Sequence, residues 1–128
     1  MDSSTIINIL AVLAIAWFFY SRFAPTKGLK NLNAESFSGE LKKNSNQVLI
    51  DVREPGEFRS GSIPGSINIP LSQLKNRIVE IPKDKAVFLY CRSGMRSKQA
   101  GKILSKAGFS DLVNLQGGIM SYQGKLKK

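Results

Sequence analysis

The stretch VFLYCRSGMRSKQAG, residues 87–101, holds the only cysteine in a chain of 128 residues. An apolar run stops at Cys91; Arg92, Ser93, Gly94, Met95 and Arg96 follow before a helical pattern begins at Ser97. AVFLY, residues 86–90, has no charged or amide side chain, as a strand buried on both faces of a parallel sheet requires. The order strand, loop, helix puts Cys91 at the carboxyl end of a central strand, the edge where open α/β sheets bind ligands. Gly94 lets the loop curl without a Cβ clash. Backbone N–H groups near a helix start, together with the guanidinium groups of Arg92 and Arg96, favour thiolate over thiol. A lone cysteine after an apolar strand is more often a small buried hydrophobe than a nucleophile. The strand end, the short glycine-bearing loop and the helix directly after it together outweigh that reading.

Outward from this stretch the pattern repeats. QVLID (residues 47–51), SINIP (66–70) and DLVNL (111–115) are compact apolar runs bounded by turn formers, as strands are. Residues 34–43 read as a short helix with Asn33 as its N-cap. LSQLKNRI, residues 71–78, places Leu71, Leu74 and Ile78 on one helical face. In SKQAGKILSKAG, residues 97–108, Ala100, Ile103, Leu104 and Ala107 share a stripe, and Gly108 suits the position after a helix end. Strands alternating with helices at this spacing predict a parallel α/β sheet with helices on both faces. Asp51 and Arg53 form either a brace for the ligand edge or a plain structural pair, and neither is read as catalytic.

Composition narrows the chemistry. One cysteine forbids an internal disulfide, and the absence of histidine removes the usual zinc sets and any Cys-His or Ser-His pair. No metal or cofactor is expected. The formal net charge is +10, and residues 92–128 carry eight Lys or Arg against one acid, Asp111. That field suits small anions or an anionic membrane surface. Without a basic stripe interleaved with aromatics, nucleic acid is not an expected partner.

The N-terminal segment stands apart. TIINILAVLAIAWFFY, residues 5–20, carries no charge, and with its small flanking residues it reaches the length that crosses ~30 Å of hydrocarbon. Trp17 and Tyr20 lie at one end, followed by Arg22, Lys27 and Lys30, while nothing basic precedes the run. The asymmetry predicts a single pass through the cell membrane, with the rest of the chain cytoplasmic. Ala14-Ile15-Ala16 looks like a cleavage site, but a signal peptide would carry a basic start, and the mature chain would then begin at Trp17-Phe18-Phe19. An uncleaved anchor is the better reading. The expected organisation is an anchor and linker over residues 1–27, a domain over 28–124 and a basic tail over 125–128.

YCRSGMRSKQAGKIL (residues 90–104) resembles the active-site loop and following helix of rhodanese-like sulfurtransferases. DVREPGEFRSGSIPGSINIP (51–70) and NLQGGIMSY (114–122) are similar to two further blocks of that family, in the same order and spacing. The resemblance implies the rhodanese fold, a five-stranded largely parallel sheet between helices. It implies that Cys91 takes a sulfane sulfur as a persulfide and passes it to a thiol or protein acceptor. The loop Arg92, Ser93, Gly94, Met95 and Arg96 would surround that sulfur, with the arginines binding a small anionic donor such as thiosulfate. Two positions depart from the family's pattern. Ser62 stands where Gly-His-Ile is common, and Tyr122 stands near a frequent tryptophan. Neither departure touches the sulfur.

Cysteine phosphatases place five residues between Cys and Arg, whereas four separate Cys91 from Arg96. The shorter loop makes a smaller cradle, and no acid or histidine in it protonates a leaving group. A rival of another class is a tethered, non-catalytic rhodanese-like module that binds a protein. The retained cysteine and its complete loop favour the enzyme.

Overall fold

The computed structural model describes residues 1–43 and 45–128. An N-terminal helix α1 (Ser3–Phe23) precedes β1 (Leu29–Leu32), α2 (Ala34–Lys43), β2 (Gln47–Asp51), α3 (Pro55–Ser60) and β3 (Ile67–Asn68). After two 3₁₀ segments come β4 (Ala86–Tyr90), α4 (Met95–Lys106), β5 (Leu112–Leu115) and a last 3₁₀ turn at Ile119–Ser121. The strands form one five-stranded sheet in the order β1-β5-β4-β2-β3, and every pairing is parallel. This is the architecture that the alternating pattern predicts.

Strand parity sorts the two cores, since successive side chains of a strand point to opposite faces. Val87, Leu89 and Cys91 fall on the α4 side with Ile50, Ala100, Leu104 and Leu112. Ala86, Phe88 and Tyr90 fall on the other side with Phe37 of α2, Ile63, Val113 and Leu115. Phe37 meets Phe88 edge-on at 5.3 Å between ring centroids. Each fully buried Val, Leu or Phe contributes about 1.5–3 kcal/mol relative to exposure, so β4, buried at all five positions, is the spine of the domain.

Several local features differ from the sequence reading. The edge strand β1, LKNL, has no apolar alternation long enough to announce it; its central residues are exposed, and pairing with β5 makes it a strand. Of SINIP only Ile67 and Asn68 pair. Residues 71–80 wind as two 3₁₀ segments, Leu71–Gln73 and Lys75–Glu80, instead of one α-helix. Pro82 disfavours the α conformation at Ile81, which is extended and ends the stretch. Leu71, Leu74 and Ile78 still pack on the α4-side core, so the apolar face was read correctly even though the winding was not. The C-terminal tail is pinned: Ser62 and Lys127 exchange backbone hydrogen bonds at 2.9 and 2.8 Å.

Asn33 caps α2, its side chain accepting the Ser36 N–H at 2.9 Å. Gly108 takes φ +99 just past the end of α4. Helix α1 has 21 residues, an 18-residue stretch of mean hydropathy 1.8 and no buried residue. At ~1.5 Å per residue it is long and apolar enough to cross a membrane.

Candidate active site

Cys91 follows the last residue of β4 and is 1% exposed. The chain then turns through Arg92 and Ser93, both exposed, to Gly94, which sits at φ +102 immediately before α4. That left-handed conformation is one most residues avoid. The Gly94 N–H donates to Cys91 Sγ, 3.0 Å away, and the left-handed turn then sends the chain into α4. The helix begins at Met95, two residues earlier than the sequence pattern suggests, so Ser97 lies inside the first turn and caps nothing. Its hydroxyl is fully buried, 3.4 Å from Cys91 Sγ, 3.2 Å from the Gly94 carbonyl and 2.5 Å from Asn114 Oδ1. Asn114 Nδ2 in turn donates to Asn31 Oδ1 at 2.9 Å. A chain of polar groups thus runs beneath the sulfur from α4 through β5 to β1.

Two opposing effects act on the thiol. Burial pushes its pKa up, and this is the largest single influence. The Ser97 hydroxyl and the backbone N–H groups of Ser97, Gly94 and Ser93 pull it down, and together they prevail. The net shift is below the ordinary thiol value. Hydrogen bonds therefore favour the thiolate here.

The arginines divide. Arg92 is exposed and makes no ion pair among the described residues. Arg96 is half-buried, and its two terminal nitrogens meet Glu57 of α3, Nη1 to Oε1 at 2.7 Å and Nη2 to Oε2 at 3.0 Å. The Arg96 hydrogen bond lowers the Glu57 pKa to about 2 against the opposing effect of partial burial, so this carboxylate is ionised at any physiological pH. The sequence reading places Arg96 at the donor and assigns Glu57 no role there. Opposite charge in a block 39 residues away was the only signal, and it does not name a partner. Met95 is 65% exposed beside the loop.

The closing block pins the loop from above. Ile119 N–H donates to the Cys91 carbonyl at 2.8 Å, and Met120 N–H donates to the Arg92 carbonyl at 3.2 Å. Gly118 adopts φ +66, and a Cβ there would collide with the Arg92 carbonyl. Close approach, beyond turn formation, explains this glycine.

Asp51 and Arg53 are a buried pair, 0% and 5% exposed. Arg53 Nε donates to both Asp51 oxygens at 3.0 Å and Nη2 to Oδ2 at 2.7 Å, while Nη2 also reaches the Gly61 carbonyl at 2.6 Å. Asn68 Nδ2 donates to the Asp51 and Arg53 carbonyls at 2.9 Å each. Tyr90, the residue before Cys91, accepts the Ile63 N–H at 3.1 Å and bonds Ser66 at 3.0 Å. Burial pushes the Tyr90 phenol up to about 12, so it stays neutral. The brace supports the strand ends below the loop and does not touch the sulfur. Among the described residues no three His, Cys, Asp or Glu side chains gather to hold a metal.

Replacing Ser97 with Ala removes the single hydroxyl proton that Cys91 Sγ, at 3.4 Å, and buried Asn114 Oδ1, at 2.5 Å, compete for. The expected cost is about 1–3 kcal/mol in urea unfolding. The pH midpoint for alkylation of Cys91 moves upward, because the hydrogen bond favoured the thiolate. An unchanged alkylation profile would show that Ser97 does not act on the sulfur.

A family model, the rhodanese-like domain, matches residues 33–125. The uncharacterized protein YqhL of Bacillus subtilis is 42% identical over 125 residues, covering 98% of this chain and 97% of YqhL. A sulfurtransferase of Allochromatium vinosum is 38% identical over 94 residues, covering 73% of this chain and 88% of its own length. Among solved structures, the rhodanese-related protein of Thermoplasma volcanium superposes with a TM-score of 0.66 at 36% identity, over 73% of this chain and 89% of that one. The three motif blocks, the sheet order and these similarities agree: the chain belongs to the rhodanese-like sulfurtransferase family.

Proposed function

We propose that Cys91 carries sulfur as a persulfide between a small anionic donor, such as thiosulfate, and a thiol or protein acceptor. The observation that supports this most is the buried Sγ receiving the Gly94 N–H at 3.0 Å beside the Ser97 hydroxyl. A thiolate held this way attacks the outer sulfur of thiosulfate. The new Cys91 S–S bond forms as the donor S–S bond breaks, and its electron pair leaves with sulfite. The acceptor nucleophile then takes the outer sulfur, and the pair returns to Cys91 as thiolate. Neither step needs a proton delivered to the leaving group, which is consistent with a chain that has no histidine. The N–H groups that favour a thiolate also favour a persulfide anion. Arg92, free and exposed, meets the donor first, while Ser93, Gly94, Met95 and Arg96 shape the cradle.

Residues 28–124 form the catalytic domain in this reading, and residues 1–27 tether it. Helix α1, followed by Arg22, Lys27 and Lys30, is taken as a single membrane pass that leaves the domain on the cytoplasmic side. Tethering suits an acceptor that is itself a protein at the membrane.

Replacing Cys91 with Ser keeps the loop's shape and removes the sulfur carrier. Turnover of thiosulfate to thiocyanate with cyanide as acceptor is expected to fall to background. The unfolding free energy should shift by no more than about 1 kcal/mol. Residual turnover in a folded Ser variant would exclude Cys91 as the carrier.

The tether has a separate test in intact cells. The full chain is expected to stay with membranes through alkaline extraction, and a tag after Lys128 should be shielded from added protease. A chain released by alkali, or recovered with Trp17 as its first residue, would contradict the anchor.

A further inference from the structure

Two guanidinium groups lie in the Cys91 loop, and they are not equivalent. Arg92 is exposed and unpaired among the described residues. Arg96 is held by Glu57 through two parallel bonds of 2.7 and 3.0 Å. Both partners remain about one-third exposed, at 35% and 32%, and Arg96 is near enough to Cys91 for the two to interact electrostatically. Glu57 is also fixed from its other side, because Oε1 accepts the Glu54 N–H at 3.1 Å at the start of α3. The carboxylate is therefore held in place next to the loop's second arginine and is not a loose surface contact.

We propose that Glu57 sets donor selectivity, occupying the Arg96 fork with a fixed negative charge so that the loop disfavours doubly charged donors relative to singly charged ones. This rests on Cys91 being the sulfur carrier. Glu57 fills the Nη1–Nη2 edge of the Arg96 guanidinium, so an oxyanion reaching the remaining Nε edge would lie beside that carboxylate. The net charge that Arg96 and Glu57 present together is zero, which leaves Arg92 as the loop's one uncompensated cation. A dianion must displace a tethered carboxylate or sit beside it, and a like charge at such range is repulsive. A donor with one charge less is penalised less.

Two donors of nearly the same shape isolate the charge. Thiosulfate and methanethiosulfonate carry the same outer sulfur on a sulfonyl centre, with a methyl group replacing one anionic oxygen in the second. Both load Cys91 by the same step: the outer sulfur bonds to Sγ, and the electron pair leaves with sulfite or with methanesulfinate. The full chain in detergent micelles is assayed with each donor and cyanide as acceptor, and the ratio of kcat/KM for thiosulfate over methanethiosulfonate is compared between variants.

Glu57→Gln keeps an acceptor for the Glu54 N–H and removes the charge. The ratio is expected to rise roughly five- to ten-fold, mainly through the KM for thiosulfate, the size of one charge contact at a partly exposed site. Glu57→Asp keeps the charge and should stay within about two-fold of the parent. Arg96→Gln leaves the carboxylate uncompensated, so the ratio should fall, which preserves the test if one variant folds poorly. An equal loss for both donors in Glu57→Gln would reduce the pair to a structural brace and overturn the proposal, as would an Asp variant that behaves like Gln. If the parent chain loads sulfur from neither donor, the carrier reading itself fails and takes this inference with it.

Discussion

A sulfur atom that is 1% exposed and yet surrounded by groups that favour its anion sets the problem that the rest of this structure solves. Burial alone drives a thiol toward its neutral form, and in this chain no histidine is present to counter it. The counterweight is a set of hydrogen bonds from the Ser93, Gly94 and Ser97 backbone and the Ser97 hydroxyl. Such a set works only if its donors are held in place before the sulfur is charged. That requirement explains why so much of the molecule converges on six residues.

Three independent supports fix the loop. From below, β4 is buried at every position and ends in Tyr90, whose hydroxyl is tied to Ile63 and Ser66. At its side, the buried Asp51–Arg53 pair joins β2 to the Gly61 carbonyl. Losing one partner would leave a buried charge uncompensated, typically a cost of 3–5 kcal/mol, so the pair acts as a rigid corner. From above, Ile119 and Met120 donate to the Cys91 and Arg92 carbonyls across the close contact that Gly118 permits. The Ser97–Asn114–Asn31 chain then links the sulfur's own donor to β5 and β1.

Much of this could be read from the residues. The apolar run ending at Cys91 identified the central strand, and the glycine-bearing loop before a helical stripe placed Cys91 at the strand's carboxyl end, ahead of α4. Features set by local chemistry were legible: the Asn33 cap, the turn at Gly108 and the face shared by Leu71, Leu74 and Ile78. What escaped depends on contacts between distant segments. β1 is a strand because β5 lies beside it, not because LKNL has a strand pattern. The sequence marks Ser97 only as the start of a helical pattern; its fully buried position beside Asn114 is set by contacts with β5. Asn114 itself, polar within an otherwise apolar strand, was the available hint that something buried there needed a partner. The Glu57–Arg96 pair spans 39 residues, and among many surface charges no sequence rule selects that match.

Intact-mass spectrometry of the full chain after incubation with thiosulfate, followed by mapping of the modified peptide, tests the central claim most directly. A persulfide reading predicts a gain of one sulfur atom, confined to the peptide containing Cys91 and lost on addition of cyanide. An unmodified chain under conditions where a catalytically competent rhodanese loads fully would contradict it, and would leave the loop as the relic of a site in a protein-binding module.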